Sequence, residues 1–266
     1  MPPARLVRYD FLDPRPASQA APHPIHRAVN IPLSELPRRT NELPPKSEIV
    51  RVAAEPELAR STVSWLASNG RRAERVESFD YAPAPEGEIG RLWEPTAFLA
   101  EAVPQLAPGT ALDLACGTGR DSVYLASCGW RVTAADVLPD ALVRGRQLAE
   151  RCAAAIAPIC WLQCDLECDL PDFDHGFDLI IIFRYLNRDL LRRLVAWLNP
   201  GGSVLCEAFT TLHRDRHGKP ARLDRVLRAG ELPTLLPGLK QQHYSEAWRG
   251  SLHTARFWGQ RAASAP

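Results

Sequence analysis

The chain of 266 residues has no cysteine before Cys116, which excludes thiol chemistry from everything upstream. Its seven cysteines all lie between Cys116 and Cys206. The odd number leaves no complete disulfide framework and points to thiols in a reducing, cytoplasmic setting. Cys160, Cys164 and Cys168 recur every fourth residue, yet no CxxC pair or suitably spaced histidine accompanies them, so no metal site is expected. Lysine is nearly missing: Lys46, Lys219 and Lys240 stand among basic residues that are otherwise arginine. The formal net charge is +1, so no global field recruits nucleic acid or anionic lipid. No apolar run approaches the roughly 20 residues needed to cross a bilayer. The opening "MPPARLVRYDFLDPRP" lacks the apolar core and small-residue cleavage site of a signal peptide. At 45% hydrophobic and 24% charged, the composition is that of a soluble globular protein.

The first 80 residues are rich in proline and arginine. Ile31 ends a short strand, Ser34 is placed to cap a short helix, and "EIVRVAA" reads as a buried strand. "ARSTVSWLASNG" then has helical periodicity closed by glycine, and a further strand is expected around Arg75 and Val76. The string "DPRP…HRAVNIPLSEL…LPPKSEIVRV…ARSTVSWLASNG…AERVE" resembles a rhodanese domain over about 70 residues. The resemblance lies in the strand end Asp13 to Arg15, the A-x-N-I-P turn at Ala28 to Pro32, and the strand–loop–helix that follows. In that family a catalytic cysteine sits in the loop, where helix N–H groups stabilise a thiolate. Here Ala53, Ala54 and Glu55 occupy the region. The resemblance therefore implies the fold without sulfur transfer, as a structural or partner-docking module. Residues 81–90, with their proline, glycine and acid, read as a linker to a second domain over 91–266.

From Ala111 the grammar becomes regular. "ALDLAC" is a strand, "GTGRD" a tight turn and "DSVYLASCG" a helix. "WRVTAAD" is a second strand ending in Asp136, and a helix follows with Pro139 in its first turn. "ICWLQCD" ends a third strand at Asp165. "FDLIIIFRYLN" is a fourth, apolar throughout its core as a strand buried on both faces must be. A helix from 188 stops at Pro200-Gly201-Gly202, "SVLCEAFT" is the fifth strand, and two final strands pair across Arg249-Gly250-Ser251. Alternation of this kind makes an α/β doubly wound, mainly parallel sheet with ligands at the carboxyl strand ends.

Two cofactor classes use a glycine turn after the first strand. A nicotinamide dinucleotide usually takes GxGxxG, and here Ser122 stands where the third glycine would be. Asp136 suits the ribose hydroxyls of either class. Asp165 discriminates, because a third acidic strand end can accept from an adenine amino group. Together these features resemble the class I S-adenosylmethionine-dependent methyltransferases over about residues 90–260, and "ACGTGRDSVYLA" is most similar to the tellurite-resistance and thiopurine-type enzymes. The resemblance implies a seven-stranded sheet with S-adenosylmethionine held by Asp113, Ala115, Gly117, Gly119, Asp136, Asp165, Leu166 and Phe183. Ala115 departs from the usual first glycine.

The acceptor is less determined. Strand four ends in "FRYLNR", with neither the Asn/Asp-Pro-Pro-aromatic loop of amino-group methylation nor the Pro-Cys nucleophile of cytosine-C5 enzymes. A small-molecule acceptor leads. An RNA or protein acceptor docked by the front half, and a cofactor-binding scaffold without turnover, stay open. Arg184, Tyr185 and Glu207 are the candidate catalytic residues, with Leu186 beside them. Arg184 and Tyr185 either handle the acceptor or cover the sheet end; Glu207 either takes a proton or pairs with an arginine. His213 and His217 read as exposed residues of a polar loop.

Overall fold

The computed structural model describes residues 4–168 and 173–263. Two compact units emerge, Met1–Pro95 with Glu150–Ile156, and Thr96–Ala149 with Ala157–Pro266.

The first unit has strands β1 (Arg5–Arg8), β2 (Phe11–Asp13), β3 (Ala28–Asn30), β4 (Ile49–Val52), β5 (Arg72–Arg75) and β6 (Glu88–Arg91), and helices α1 (Ala17–Ala20) and α2 (Pro56–Ser68). Strands β3-β2-β4-β5 form a parallel sheet, and β1 pairs with β6. In β4 only Val50 and Val52 are buried, while Ile49 and Arg51 point to solvent, so the strand alternates where continuous burial was expected. Helix α2 places Ala59, Thr62 and Leu66 inward and starts with Pro56 in its first turn. It closes with Gly70 at φ +69°, where the Gly70 N–H bonds Ala67 O and the Arg71 N–H bonds Leu66 O, each at 3.0 Å.

Two expectations for this unit need correction. Residues 33–38 make a run of turns instead of a helix capped by Ser34, because Pro37 lacks the N–H that would continue one. The expected linker at 81–90 ends inside β6, which is held by a partner strand near the other end of the unit. Two charged clusters are enclosed. Arg15 grips Asp13 with Nε–Oδ1 at 2.9 Å and Nη2–Oδ2 at 2.7 Å. Glu42, 4% exposed, takes Arg39 at 2.8 and 2.7 Å and Arg151 Nη2 at 2.5 Å.

The second unit contains β7 (Thr110–Leu114), β8 (Arg131–Asp136), β9 (Cys160–Gln163), β10 (Phe177–Phe183), β11 (Leu198–Phe209), β12 (Leu239–Arg249) and β13 (Leu252–Arg261). Their order is β12-β13-β11-β10-β7-β8-β9, parallel from β9 to β11 and antiparallel at β13 and β12. Helices α3 (Ala97–Ala102), α4 (Arg120–Ser127), α5 (Pro139–Arg151), α6 (Arg188–Arg193) and α7 (Thr211–His217) complete the set. Leu179 to Ile182 in central β10 are each 0% exposed, which is why that stretch shows no polar alternation.

The third strand ends at Gln163, two residues short of Asp165. Strand β11 starts before Pro200-Gly201-Gly202, and the irregularity that the three residues create falls between Leu198 and Ser203, with Gly201 at φ +80°. The expected polar loop with His213 and His217 is helix α7, and His213 is buried with its ring stacked on Phe209 at 4.3 Å.

Candidate functional site

Strand β7 delivers the chain into its glycine turn with three residues in the left-handed region: Ala115 at φ +56°, Gly117 at +56° and Gly119 at +70°. Ala115 holds, at a cost of about 1–2 kcal/mol, a conformation that glycine adopts freely. The turn is fastened from the next strand. Asp136, at the end of β8, accepts the Gly117 N–H through Oδ2 at 2.8 Å and the Leu138 N–H through Oδ1 at 2.9 Å. An acid at this strand end thus sets the turn's shape, and its remaining lone pairs are left for a ligand.

The two glycines serve different ends. A Cβ on Gly117 would meet nothing within 4 Å, so the turn is open above it. A Cβ on Gly119 would come within 2.4 Å of the Trp161 ring, and one on Gly145 of α5 within 2.6 Å of the same ring. Trp161 from β9 packs into the space that both missing side chains leave, and the same absence lets the helix and the turn approach closely, with Gly145 Cα 3.4 Å from where a Gly119 Cβ would stand.

The turn itself, through Ala115, Cys116, Gly117 and Thr118, lines a cleft of about 260 Å³ whose other walls include Thr96, Asp113, Arg120, Phe183 and Arg184. Asp113 accepts the Ser122 hydroxyl at 2.5 Å; desolvation, and then the neighbouring Asp121, push its carboxyl well above the ordinary range. Asp121 takes the Thr96 N–H at 2.6 Å and its hydroxyl at 2.8 Å, and burial again raises it. Burial also raises the Cys116 thiol, with the Asp113 and Asp136 carboxylates adding to the effect, so this cleft cysteine stays protonated.

The other expected site residues divide. Phe183 and Arg184 stand in the cleft wall, and Phe183 meets the edge of Phe98 with centroids 6.4 Å apart. Arg184 has φ +61°, and its N–H donates to the Glu207 carbonyl at 2.6 Å. Asp165 lies past β9, partly exposed, and its carboxylate accepts the Glu167 N–H at 2.9 Å. The adjoining Cys164 N–H bonds the Asp136 carbonyl at 3.1 Å, which keeps this segment beside the second strand end, and Leu166 is buried.

Tyr185 and Glu207 are not in the cleft wall. The Tyr185 ring packs on the core under the Arg225 guanidinium, 5.2 Å from its centroid, and Arg225 is itself tied to the Leu186 carbonyl at 2.9 Å. That face of the ring is taken, so it is not free for a sulfonium. Glu207 is 3% exposed and pairs with Arg256 at 2.5 Å, the arginine-paired alternative. Among the described residues no group of three or more His, Cys, Asp or Glu is placed to hold a metal.

Residues 111–202 match the family model described as "Methyltransferase domain". Over this stretch, about a third of the chain, the sequence is similar to that family. A curated relative, "Putative methyltransferase YqeM" of Bacillus subtilis strain 168, is 34% identical over 87 residues, which make up 33% of this chain. The matched stretch spans only 32% of that relative's length. Among solved structures, TehB from Haemophilus influenzae aligns with a TM-score of 0.52 at 20% identity, covering 62% of each chain. The N-methyltransferase NodS from Bradyrhizobium japonicum WM9, solved with S-adenosyl-L-homocysteine, aligns at 0.50 and 22% identity over 62% of this chain and 84% of its own. At these identities the likeness is one of fold.

The residues of the second unit fit S-adenosylmethionine, the parent of the S-adenosyl-L-homocysteine held in the NodS structure. The open Gly117 turn leaves room for backbone approach, and Asp136 supplies the acid. Val137 and Leu138, 48% and 59% exposed, offer an uncovered apolar ledge directly after it. Sequence reasoning missed this ledge, as it missed Arg120, Asp121 and Thr96 in the cleft wall. It also missed Trp161, although the isolated Gly145 inside a helical pattern was a signal of close packing.

Proposed function

We propose that the second unit is a methyltransferase domain that binds S-adenosylmethionine over the Gly117 turn and directs its methyl to a small-molecule acceptor in the cleft that the turn lines. The observation that carries this reading is the turn itself, open above Gly117 and pinned from below by Asp136. Bound there, the cofactor supplies an electrophilic methyl on a good leaving group. The chain's own task is then alignment, which can contribute several kcal/mol toward about 7–11 in well-oriented reactions. Asp136 and the apolar ledge at Val137 and Leu138 orient one end, with Asp165 and Leu166 as the outer contacts. Asp113, Ala115 and Gly119 shape the turn. Phe183 and Arg184 flank the acceptor space. The cleft of about 260 Å³ is shared between the turn and the Phe183–Arg184 wall, and a confined space of this kind suits a small acceptor better than a polymer.

The first unit completes the proposal as a rhodanese-like module without sulfur transfer, because Ala53, Ala54 and Glu55 fill the loop between β4 and α2 and no cysteine precedes Cys116. A reducing, cytoplasmic setting is part of the same reading, supported by the odd number of cysteines.

Calorimetry tests the cofactor assignment. S-adenosylhomocysteine should bind, and Asp136→Ala should weaken it by about 1.5–3 kcal/mol, the range for hydrogen bonds to a charged acceptor. Heat with a nicotinamide dinucleotide and none with S-adenosylmethionine would overturn it. Incubating a cell extract with methyl-labelled cofactor identifies the acceptor class; label found only in RNA or protein refutes the small-molecule reading.

A further inference from the structure

Two guanidiniums stand in the cleft wall with no hydrogen-bonded partner among the described residues. Arg120 opens α4 at the end of the glycine turn, and Arg184 follows the carboxyl end of β10. Among the described residues, neither side chain makes a hydrogen bond or an ion pair. The nearby acids are committed elsewhere: Asp121 to Thr96 at 2.6 and 2.8 Å, and Asp113 to Ser122 at 2.5 Å.

Both arginines are held at a cost. Arg120 is half-buried, and its charged form is opposed first by desolvation and further by Arg184, against a partial attraction from Asp121. A cation taken out of water without a hydrogen-bonded counter-ion is unfavourable. Arg184 is exposed, its backbone sits at φ +61°, a conformation disfavoured for any residue with a Cβ, and Asp121 attracts its charge as it does that of Arg120. A desolvated cation and a second, exposed one therefore repel each other across one small space. An anion between them offsets the repulsion and satisfies both forks, and guanidinium geometry suits a carboxylate in particular.

We propose that Arg120 and Arg184 form an anion clamp, and that the methyl acceptor is a small molecule carrying a carboxylate or similar oxyanion. This rests on the methyl-transfer reading above. A carboxylate can also come from the methionine end of the cofactor, and the experiment separates the two sources.

The probes are benzoate and its uncharged isostere benzamide, chosen because Phe183 gives the cleft an aromatic wall. Each is titrated by calorimetry into the full-length protein, with and without saturating S-adenosylhomocysteine. Variants are Arg184→Asn, which tolerates positive φ, and Arg120→Gln. Benzoate should bind the cofactor-product complex at least tenfold more tightly than benzamide. Either variant should erase that preference, while S-adenosylhomocysteine affinity in Arg184→Asn stays within threefold. Equal binding of the two probes overturns the clamp. So does a tenfold loss of S-adenosylhomocysteine affinity in Arg184→Asn, which would assign the pair to the cofactor's own carboxylate. If S-adenosylhomocysteine fails to bind wild type, the cofactor reading falls, and the benzoate preference of the ligand-free protein still decides the clamp.

Discussion

Replacing each glycine of the turn by alanine should separate folding from binding. At Gly119 the new Cβ carries the left-handed penalty of about 1–2 kcal/mol, since φ is +70°. It also stands 2.4 Å from the Trp161 ring, and overpacking of this kind costs about 1–3 kcal/mol. Gly119→Ala should therefore lose about 2–5 kcal/mol of stability. At Gly117 the backbone penalty is the same in kind but no atom lies within 4 Å of the Cβ, so Gly117→Ala should lose only about 1–2 kcal/mol. Its methyl, however, fills the space assigned to the cofactor, and S-adenosylhomocysteine affinity should fall at least tenfold. Urea unfolding at constant slope reads the first quantity and calorimetry the second. Trimming the ring in Gly119→Ala/Trp161→Leu should cost less than the two single changes added together, because the clash disappears with the ring. Equal destabilisation by the two alanines would refute the wedge, and intact cofactor affinity in Gly117→Ala would refute the open cradle.

Breaking the Glu207–Arg256 pair by Glu207→Gln should destabilise the protein by about 1–3 kcal/mol, because Arg256 loses its buried counter-ion and is left with the exposed Glu101 at 3.3 Å, whereas Glu207→Leu/Arg256→Met should recover most of it. Lost turnover with an unchanged urea midpoint would instead return Glu207 to catalysis. His213 should titrate below its usual value of about 6.5, because burial, then His217 and His253, oppose its charge, and its Nδ1 accepts the His253 N–H at 3.3 Å. A folded pKa below the unfolded one means that stability is full above about pH 6.5 and falls as pH drops through that value, by up to about 1.4 kcal/mol per pH unit. Imidazole NMR titration checks the midpoint, and a value above 6.5 contradicts the burial argument. The full-length protein should show no thiosulfate-to-cyanide sulfur transfer; measurable turnover in that assay would refute the inert-module reading.

The parts of the fold readable from sequence are those set by local pattern. The apolar run around Ile180 and Ile181, the glycines after Asp113 and the acid closing "WRVTAAD" each carry their structural meaning within a few residues. Side-chain partnerships did not read out, because the partner lies far along the chain. Nothing near Tyr185 announces Arg225, and nothing near Glu207 marks Arg256 out from the many other arginines. His213 was misread for a similar reason: its segment is polar, and only its stacking on Phe209 and the amide of His253 draw it inward. Asp165 was placed on a strand whose ladder with β8 ends at Gln163.

The first unit is not a continuous piece of chain, because Glu150–Ile156 is counted within it and brings Arg151 to the enclosed Glu42. A gene fragment stopping at Pro95 would encode every strand of that unit and still leave Glu42, among the described residues, with Arg39 as its sole hydrogen-bonded basic partner. Conversely, a fragment starting at Thr96 would carry a seven-residue segment whose native neighbours had been deleted. The two halves are therefore poor cassettes for domain swapping by simple end-to-end splicing. Any exchange of the front module between proteins has to move a short insert in the middle of the gene along with it.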